Sequence, residues 1–313
     1  MKLVETTSSM ADEATDLFLH AYRAEESQVP SLPPNPLSGR DELRGHIAKL
    51  LTDGVAVLEG GRLAGYLCTG YRFPFKGTLA GLCPVIGHSV LRGRATELYP
   101  PLYAAVARTW AREEARLHIV EHLAHDAALE RLLYRLGFGL IIRERVRDLS
   151  PVPVRTDRPV VRVDFEMLVQ ADAEHAAYYG DAPVFVRKTP GPAAAAEGLR
   201  ALSDAGCAFF ASLAQGVPVG YCIVGPQSNP EGLLMRGTTT AQVHSAYVRG
   251  PDRRTGIGTA LLAAAVAHAR TEGFERIFVE HESANLPGSA FWAQHFTRYV
   301  SFSMRYVDIG KIG

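Results

Sequence analysis

The sequence predicts an α+β protein built from two tandem copies of one unit. Three observations lead to this fold class: a motif recurs about 155 residues apart, strand-like and helix-like segments alternate in each half, and 313 residues suit two domains. We expect a first domain at residues 1–150 and a second at residues 151–313. The stretch 149–159 between them is rich in proline and polar residues, the composition of an exposed linker.

Two pairs of segments define the repeat. Gly60–Tyr66 corresponds to Gln215–Tyr221, and each segment is a predicted hairpin turn feeding a strand. Further along, the tetrapeptide Ile119–His122 corresponds to Phe278–His281, with the same Val-Glu-His ending. The order of similar segments is the same in both halves, which favours duplication of a whole folding unit.

Composition excludes several classes of function. Lys plus Arg and Asp plus Glu balance at 33 each, so neither a nucleic-acid-binding nor an anionic-membrane-binding surface is expected. No apolar run reaches the ~18 residues of a membrane span, and the first residues lack a signal-peptide core. The four cysteines show no C-x-x-C spacing and stand in apolar surroundings, which predicts buried reduced thiols and a cytoplasmic protein.

The most informative segment joins a strand to a helix through a loop that contains glycine. The β-type run Val243–Val248 precedes the loop Arg253–Gly258, which opens an Ala/Leu-rich helix. Glycines at 256 and 258 let the backbone turn tightly and approach a ligand, while N–H groups at the helix start point outward. Arginine adds positive charge there. The segment therefore predicts a cradle for a phosphate-like anion.

Spacing separates this loop from two other phosphate-binding motifs. The P-loop requires a Lys after its last glycine, and the dinucleotide fingerprint requires a third glycine where Leu261 stands. What remains is R-x-x-G-x-G between a strand and a helix, which resembles the pyrophosphate-binding signature of the GNAT acyltransferase superfamily. A helix start that merely contains glycines is the alternative.

The sequence after the loop extends the resemblance. Apolar residues at helical spacing run from Ile257 to a stop at Gly273, a short strand is predicted at Arg276–Glu280, and a second helix at Asn285–Phe296. The last segment resembles the N-x-x-A-x-x-[LF]-Y-x-x-x-G-F pattern of the family, so the resemblance covers about residues 215–307. It implies, for each copy, a mixed and mostly antiparallel twisted sheet flanked by helices.

The resemblance implies that the second copy binds acetyl-coenzyme A as its acyl donor, with no metal. The loop would hold the diphosphate, and the backbone near Val248 would bind the pantetheine arm and the thioester carbonyl. The residues expected at this site are Tyr247, Val248, Arg253, Arg254, Thr255, Gly256, Ile257, Gly258, Thr259, Asn285, Phe291 and Trp292. Packing in the core or at an interface is the alternative role for Tyr247.

The first copy lacks a comparable loop. If Val90 is matched to Val248, the two cradle glycines fall on Leu98 and Pro100, and the arginine falls on Ala95. Larger side chains and a proline cannot supply the same N–H donors. We therefore expect a degenerate first domain and one working site per chain.

Acyl transfer to an amine needs a proton acceptor, because an amine with a pKa near ~10 is protonated at neutral pH. In the histone-modifying branch of the family a glutamate serves as base at the position of Gln242, and glutamine cannot take a proton. His244, predicted on the same strand face, is the expected base, with a structural role as the alternative. Glu280 or Glu282 could accept a proton through water or attract a cationic substrate. Glu280 could equally be structural, since Glu121 repeats it.

The proton donor for the leaving thiolate is less clear. The family commonly uses a tyrosine in the last helix, where this chain has Phe291 and Trp292. His295, Tyr299 or solvent remain as candidates.

Together these features predict an acetyl-CoA-dependent N-acetyltransferase that acts on the amine of a small molecule or on an amino terminus. The alternative is a catalytically weak acyl-CoA-binding or regulatory protein, which the missing glutamate and tyrosine favour. We expect no nucleic-acid or membrane partner, and a monomer or a homodimer.

Overall fold

Both halves of the chain fold as α+β units, as the sequence predicts. The computed structural model describes residues 1–187, 191–227, 232–236 and 239–309. Unit 1 comprises residues 1–144 together with the C-terminal segment from residue 297, and unit 2 comprises residues 145–296.

Unit 1 contains four helices and eight complete strands among the described residues. The helices are α1 (Ala11–Glu26), α2 (Arg40–Leu50), α3 (Ala95–Arg112) and α4 (Ala127–Arg135). The strands are β1 (Lys2–Glu5), β2 (Gly54–Glu59), β3 (Arg62–Cys68), β4 (Tyr71–Phe75), β5 (Thr78–Cys83), β6 (His88–Val90), β7 (Leu117–Leu123) and β14 (Thr297–Tyr306). The strand order is β1-β2-β3-β6 in one sheet, and β4-β5-β7-β14 lie side by side in another.

Unit 2 follows β8 (Gly139–Asp148), whose last four residues belong to it. Its other strands are β9 (Val160–Arg162), β10 (Ala208–Ala214), β11 (Val217–Pro226), β12 (Thr240–Val248) and β13 (Arg276–Glu282). Its helices are α5 (Val169–Gly180), α6 (Pro192–Asp204), α7 (Ile257–Thr271) and α8 (Leu286–His295). Strands β9 to β12 pair antiparallel in the order β9-β10-β11-β12, and β13 pairs parallel to β12.

The hairpins predicted from the repeat have the same geometry in the two units. Both central residues of each turn have positive φ, +56° and +81° at Gly60 and Gly61, and +50° and +79° at Gln215 and Gly216. This is the pattern of a type I′ turn, whose twist suits a two-residue hairpin. The second strand of each hairpin also carries a β-bulge just after the turn, with Ala64 and Val219 as the extra residues.

Each unit also contains one parallel strand pair of matching register. In unit 1, residues 80–83 of β5 pair with residues 117–120 of β7; in unit 2, residues 240–243 of β12 pair with residues 276–279 of β13. Parallel neighbours need a crossover connection. The long helices α3 and α7 provide these connections.

The sheet of unit 2 is covered on both faces. Leu261 and Val266 of α7 pack with Val243 on one face, and Leu199 of α6 packs with Ile223 on the other. Strand β11 is therefore buried along almost its whole length.

The stretch 149–159 has no helix or strand, and eight of its eleven residues are exposed, as its composition predicts. Leu149 and Val152 are buried in the core of unit 2, because that core accepts apolar side chains from the irregular chain beside α7. The four cysteines are buried and free. Among the described residues, no helix combines the length and apolar character needed to span a bilayer.

Candidate functional site

A fork between two parallel strands is the central feature of unit 2. The pairing of β12 with β13 extends to Val243 and Val279, and the described chain shows no further pair, although β12 continues to Val248. Pairing of β12 with β11 on the opposite edge continues to Val248. Backbone groups of β12 beyond Val243 therefore face the fork, where an extended ligand could hydrogen-bond to them as an added strand does.

A β-bulge places His244 at the beginning of this fork. Val243 pairs with Val224 and Ser245 pairs with Ile223, so His244 is the extra residue of the bulge. The simple alternation that put His244 on the face of Gln242 is therefore interrupted. His244 is half-buried, and its Nε2 lies 2.9 Å from the carbonyl oxygen of Pro226. Because that oxygen can only accept, Nε2 carries the proton and Nδ1 is the basic nitrogen.

The end of β12 leads directly into the predicted cradle. Arg254 and Gly256 adopt left-handed backbone conformations, with φ of +63° and +87°, and Gly256 is the N-cap of α7. The first hydrogen bond of the helix runs from the Ala260 N–H to the Gly256 carbonyl. The N–H groups of residues 257–259 thus precede the first helical hydrogen bond, and they can bind an anion at the positive end of the helix dipole.

Close packing explains both cradle glycines. A Cβ on Gly256 would lie 3.1 Å from Cβ of Thr156, and a Cβ on Gly258 would lie 3.3 Å from the Phe291 ring. Phe291 therefore packs directly below the cradle, and any side chain at 258 would displace it. Trp292 is buried in the same core, so the two aromatic residues of α8 support the site from beneath.

Two arginines of the loop have different environments. Arg253 donates from Nε to the Val248 carbonyl at 2.9 Å, and its guanidinium lies 4.6 Å from the ring centre of Tyr178. This stacking holds the side chain by cation–π attraction. Arg254 and Thr255 are exposed, and the Thr255 hydroxyl donates to the Asp252 carbonyl at 2.7 Å.

A buried polar network adjoins the fork on the side of α5. The Tyr221 hydroxyl donates to Asp172 Oδ1 at 2.5 Å and lies 3.0 Å from Ser245 Oγ. His175 Nδ1 is 3.0 Å from the same hydroxyl and 3.3 Å from Ser245 Oγ. Burial and the neighbouring Asp172 carboxylate raise the pKa of Tyr221, so the phenol keeps its proton.

Tyrosines of α5 connect this network to the opposite arm of the fork. Tyr178 donates to Asn285 Oδ1 at 3.1 Å, and the same oxygen caps α8 by accepting from the Gly288 N–H at 3.2 Å. The pKa of Tyr179 is raised by burial, and the carboxylates of Glu282 and Glu280 add to this shift. Those two glutamates are therefore within electrostatic reach of the Tyr179 hydroxyl. Glu280 and Glu282 are both half-buried.

The structure places the remaining predicted residues in separate locations. Tyr247 stacks on His175, with ring centres 5.1 Å apart, so it faces the network of α5. His295 is half-buried against Phe291, and its pKa is lowered by burial and by the charge of Arg147. Tyr299, a candidate proton donor, is fully buried in unit 1. Gln242 is also buried.

The corresponding fork of unit 1 is filled by the chain itself. After Cys83 the chain turns into a short 3₁₀ helix, and the N–H of Val85 donates to Glu121 Oε2 at 3.1 Å. His88 Nε2 lies 2.6 Å from the Glu121 carbonyl. Burial and the nearby Glu144 raise the pKa of Glu121 to about 8. In unit 1 the Glu121 carboxylate thus accepts a hydrogen bond from the Val85 N–H. The corresponding place in unit 2 is where the pairing of β12 with β13 ends.

The start of α3 corrects the sequence-based position of the missing cradle. Leu98 and Pro100 lie inside α3, which begins at Ala95, because the loop after β6 is only four residues long, against eight after β12. The residue at the helix start is Arg94, which forms ion pairs with Glu59 and Glu97. These carboxylates occupy the positive end of the helix and would repel a phosphate.

Sequence reasoning missed the α5 residues of the site. Asp172, His175 and Tyr179 are spaced as neighbours on one helical face, and that spacing was the available signal. They precede the segment that resembles the family, and α5 carries no glycine or proline pattern to draw attention to it.

Comparison with known proteins agrees with this geometry. Residues 174–296 match the profile of the acetyltransferase (GNAT) family, and this range includes the fork, the cradle and α8. These residues form a GNAT domain. No curated protein sequence matches the chain significantly.

Solved structures show the same fold over the whole chain. A GCN5-related N-acetyltransferase from Sphaerobacter thermophilus aligns with a TM-score of 0.60 and 15% identity, covering 97% of this chain and 95% of that one. A tandem GNAT protein from the clavulanic acid biosynthesis pathway aligns with a TM-score of 0.52 and 16% identity, covering 100% and 99%. The chain thus shares the fold of these two proteins along its whole length, and residues 174–296 carry the match to the GNAT family.

The donor groups at this site are of the kind that can bind a phosphate. They are the backbone N–H groups at the start of α7 and the arginines of the preceding loop. In the described residues, no three His, Cys, Asp or Glu side chains come together in a way that would hold a metal ion.

Proposed function

We propose that unit 2 transfers an acetyl group from acetyl-CoA to the amine of a small molecule or to an amino terminus, in the cytoplasm. The observation that supports this most is the open strand fork that continues into the glycine-capped start of α7. One extended ligand could bind the edge of β12 with its arm and the N–H groups of residues 257–259 with its diphosphate.

The proposed cosubstrate contacts follow from this placement. The N–H groups at Ile257, Gly258 and Thr259 would bind the diphosphate, with Arg254 and Thr255 at the exposed rim. Val248 would contribute backbone groups, and Arg253 would stabilise the turn through its bond to the Val248 carbonyl. Phe291, Trp292 and Asn285 would support the site from α8, and Tyr247 would line the fork.

Side chains that could take a proton from the substrate amine lie on both arms of the fork. His244 stands at the bulge of β12, and Glu280 stands near the end of β13. We propose that His244 takes a proton from the acceptor amine through Nδ1 and that Glu280 attracts the cationic amine. His295, at the far end of α8, is the remaining candidate for returning a proton to the thiolate.

A second candidate function is acyl-CoA binding without efficient transfer. The buried Gln242 favours it, because this amide occupies the position of the glutamate base in one branch of the family. The two functions predict the same cosubstrate binding and differ only in whether an amine is acetylated.

The test is acetyl transfer by the purified full chain. The protein is incubated with acetyl-CoA and a panel of aliphatic amines, diamines, amino sugars, amino acids and short peptides. Thiol release is followed with a chromogenic disulfide, and acetylated product by mass spectrometry. The cysteines of unit 2 add little background, because burial raises the pKa of Cys207 to about 11 and of Cys222 to about 12.

The expected result is thiol release matched by acetylated amine for at least one acceptor class. Tight acetyl-CoA binding with no acetylated amine across the panel would contradict the proposed transfer and support the second candidate. Failure to bind acetyl-CoA would contradict both.

A further inference from the structure

The acylation of an amine removes two protons from the nitrogen. An ammonium acceptor loses one proton before it can attack the thioester carbon and a second as the new C–N bond becomes an amide. The C–S bond breaks, the sulfur takes up one proton, and one proton is released in total. His244 accounts for one acceptor in the proposed function. The other proton passes to the leaving thiolate, either directly or through water or a side chain that accepts it first.

We propose that His175 is this second proton acceptor, and that Tyr221 and Asp172 are positioning residues that hold its imidazole in the Nδ1–H form. The inference rests on the proposed acetyl transfer by unit 2. It assigns a role to α5 that neither the loop motif nor the family profile specifies.

The direction of the hydrogen bonds fixes the tautomer. Asp172 can only accept when ionised, so the Tyr221 hydroxyl at 2.5 Å must donate to it. The Tyr221 oxygen is then an acceptor, and His175 Nδ1 at 3.0 Å donates to it. With the proton on Nδ1, the basic nitrogen of His175 is Nε2. A carboxylate that orients an imidazole through an intermediate group follows the logic of a catalytic triad.

The location of His175 ties it to the fork. It is buried, and its ring stacks on Tyr247 of β12, two residues beyond Ser245, in the part of that strand that no longer pairs with β13. Tyr179 contacts the ring edge-on with centres 4.8 Å apart, and Tyr179 itself interacts with Asn285 on the other arm. His175 therefore lies between groups that belong to both arms of the fork.

The duplicated unit shows that this network is not needed for the fold. Tyr66 occupies the position of Tyr221 in the first copy and is equally buried. Its hydroxyl donates to the Ile86 carbonyl at 3.0 Å, a bond to the backbone with no carboxylate involved. A buried tyrosine is thus satisfied without a charge. The link from a buried tyrosine to the half-buried Asp172 carboxylate is therefore particular to unit 2 among the two copies.

The test combines four variants of the full chain with matched measurements. His175→Asn keeps an N–H donor toward Tyr221 but has no basic nitrogen. Tyr221→Phe and Asp172→Asn break the positioning links. Tyr66→Phe is the control, since it makes the same change at an equally buried position of unit 1. For each protein we would measure kcat, the KM for the amine, the Kd for coenzyme A and the melting temperature.

We expect His175→Asn to lower kcat about 100-fold or more, as for loss of a proton acceptor, with the coenzyme A Kd within about twofold of wild type. Tyr221→Phe and Asp172→Asn should lower kcat about 10-fold and move the acidic limb of the pH–rate profile. Tyr66→Phe should leave kcat unchanged. Several groups face His175 and can shift the acidic limb of the pH–rate profile: Asp172, Tyr179, Tyr221 and Tyr247. Glu280 and Glu282 act on it through Tyr179.

A second readout needs neither turnover nor a stable variant. Proton–nitrogen correlation NMR of the free wild-type protein should show a neutral His175 with its proton on Nδ1. A proton on Nε2 overturns the inference even if every variant unfolds. A folded His175→Asn protein with kcat within about threefold of wild type also overturns it, while leaving the proposed acetyl transfer intact. If wild type acetylates no amine, the proposed function fails, and the NMR result still decides the tautomer.

Discussion

Arg254 adopts a backbone conformation that L side chains disfavour, with φ of +63°. A residue with a Cβ in this region costs roughly 1 kcal/mol relative to glycine. The side chain of Arg254 is exposed, so burial does not offset the cost of this backbone conformation. Because backbone strain is often stored at functional sites, we expect the charge of Arg254 to act on a ligand in the adjacent cradle.

Replacement of Arg254 tests this directly. Arg254→Gly should remove the charge and relieve the backbone, so coenzyme A affinity should fall about 2- to 5-fold, as for one exposed ion pair, while the melting temperature holds or rises. Arg254→Lys keeps charge and strain and should bind nearly as wild type. Calorimetry and thermal melts measure both effects. Equal affinities for wild type and Arg254→Gly would exclude a contact between Arg254 and the ligand.

His244 is tested by separating its hydrogen bond from its basicity. His244→Gln can still donate to the Pro226 carbonyl but cannot take a proton. If His244 is a base, kcat should fall about 100-fold in both His244→Gln and His244→Ala, with little change in melting temperature. A purely structural histidine would instead give an active His244→Gln protein. That outcome would shift the assignment to Glu280.

Glu121 makes the stability of unit 1 depend on pH. Its pKa is raised from 4.5 to about 8 in the folded protein, mainly by burial. The unfolded chain therefore loses this proton at lower pH than the folded one, and stability falls as pH rises from about 4.5 to about 8. Glu121→Gln keeps an acceptor for the Val85 N–H without the titration.

The variant should melt above wild type by a few degrees at pH 8, and the difference should shrink toward pH 5. Thermal melts across pH 5 to 8.5 measure this. A difference between the two proteins that stays constant over that range would show that Glu121 has an ordinary pKa.

Among the elements, α7 was the most predictable from sequence. The spacing of the apolar residues predicted the length of the helix. The loop glycines predicted where it begins, and Gly273 predicted where it ends. The bulge at His244 was not predictable, because an extra residue in β12 is defined only against its partner β11. The α5 network was missed for a similar reason: a D-x-x-H-x-x-x-Y spacing is compatible with an ordinary amphipathic helix until Tyr221 is placed beneath it.

The two ends of α7 offer a matched pair of glycines. Gly256 and Gly273 have φ of +87° and +84°, so alanine introduces similar backbone strain at each. Around Gly273 there is open space, whereas a Cβ on Gly256 meets Thr156 and stands at the cradle. Both Gly256→Ala and Gly273→Ala should lower the melting temperature.

The two variants should differ in ligand binding. We expect Gly256→Ala to weaken coenzyme A binding about 10-fold or more, and Gly273→Ala to bind as wild type. Calorimetric titration of the two variants provides the comparison. Similar losses in both would mean that strain in α7, and not the cradle, controls affinity.

Across the whole molecule, the two copies of the duplicated unit differ at the strand fork and at the start of the following helix. In unit 2 the fork is open and the helix start carries left-handed Gly256; in unit 1 Glu121 occupies a backbone donor and Arg94 is bound by carboxylates. The repeat in the sequence predicted the duplication and the asymmetry. The reason for the asymmetry needed the structure, because loop length after β6 and the Glu121 contact are not visible in the motif.

The last strand shows another limit of sequence reasoning. Strand β14 follows α8 of unit 2 in the chain, yet it pairs with β7 and belongs to unit 1. A strand is recognised by its own residues, but its partner is chosen by tertiary contacts. Chain order therefore does not assign these residues to a unit.

We propose one working acetyl-CoA site per chain, located in unit 2. Calorimetric titration of the full chain with acetyl-CoA tests it most directly, with the active protein fraction determined independently. We expect one site per chain, and Gly256→Ala should abolish or strongly weaken it. Two sites per chain, or one site unaffected by Gly256→Ala, would contradict it.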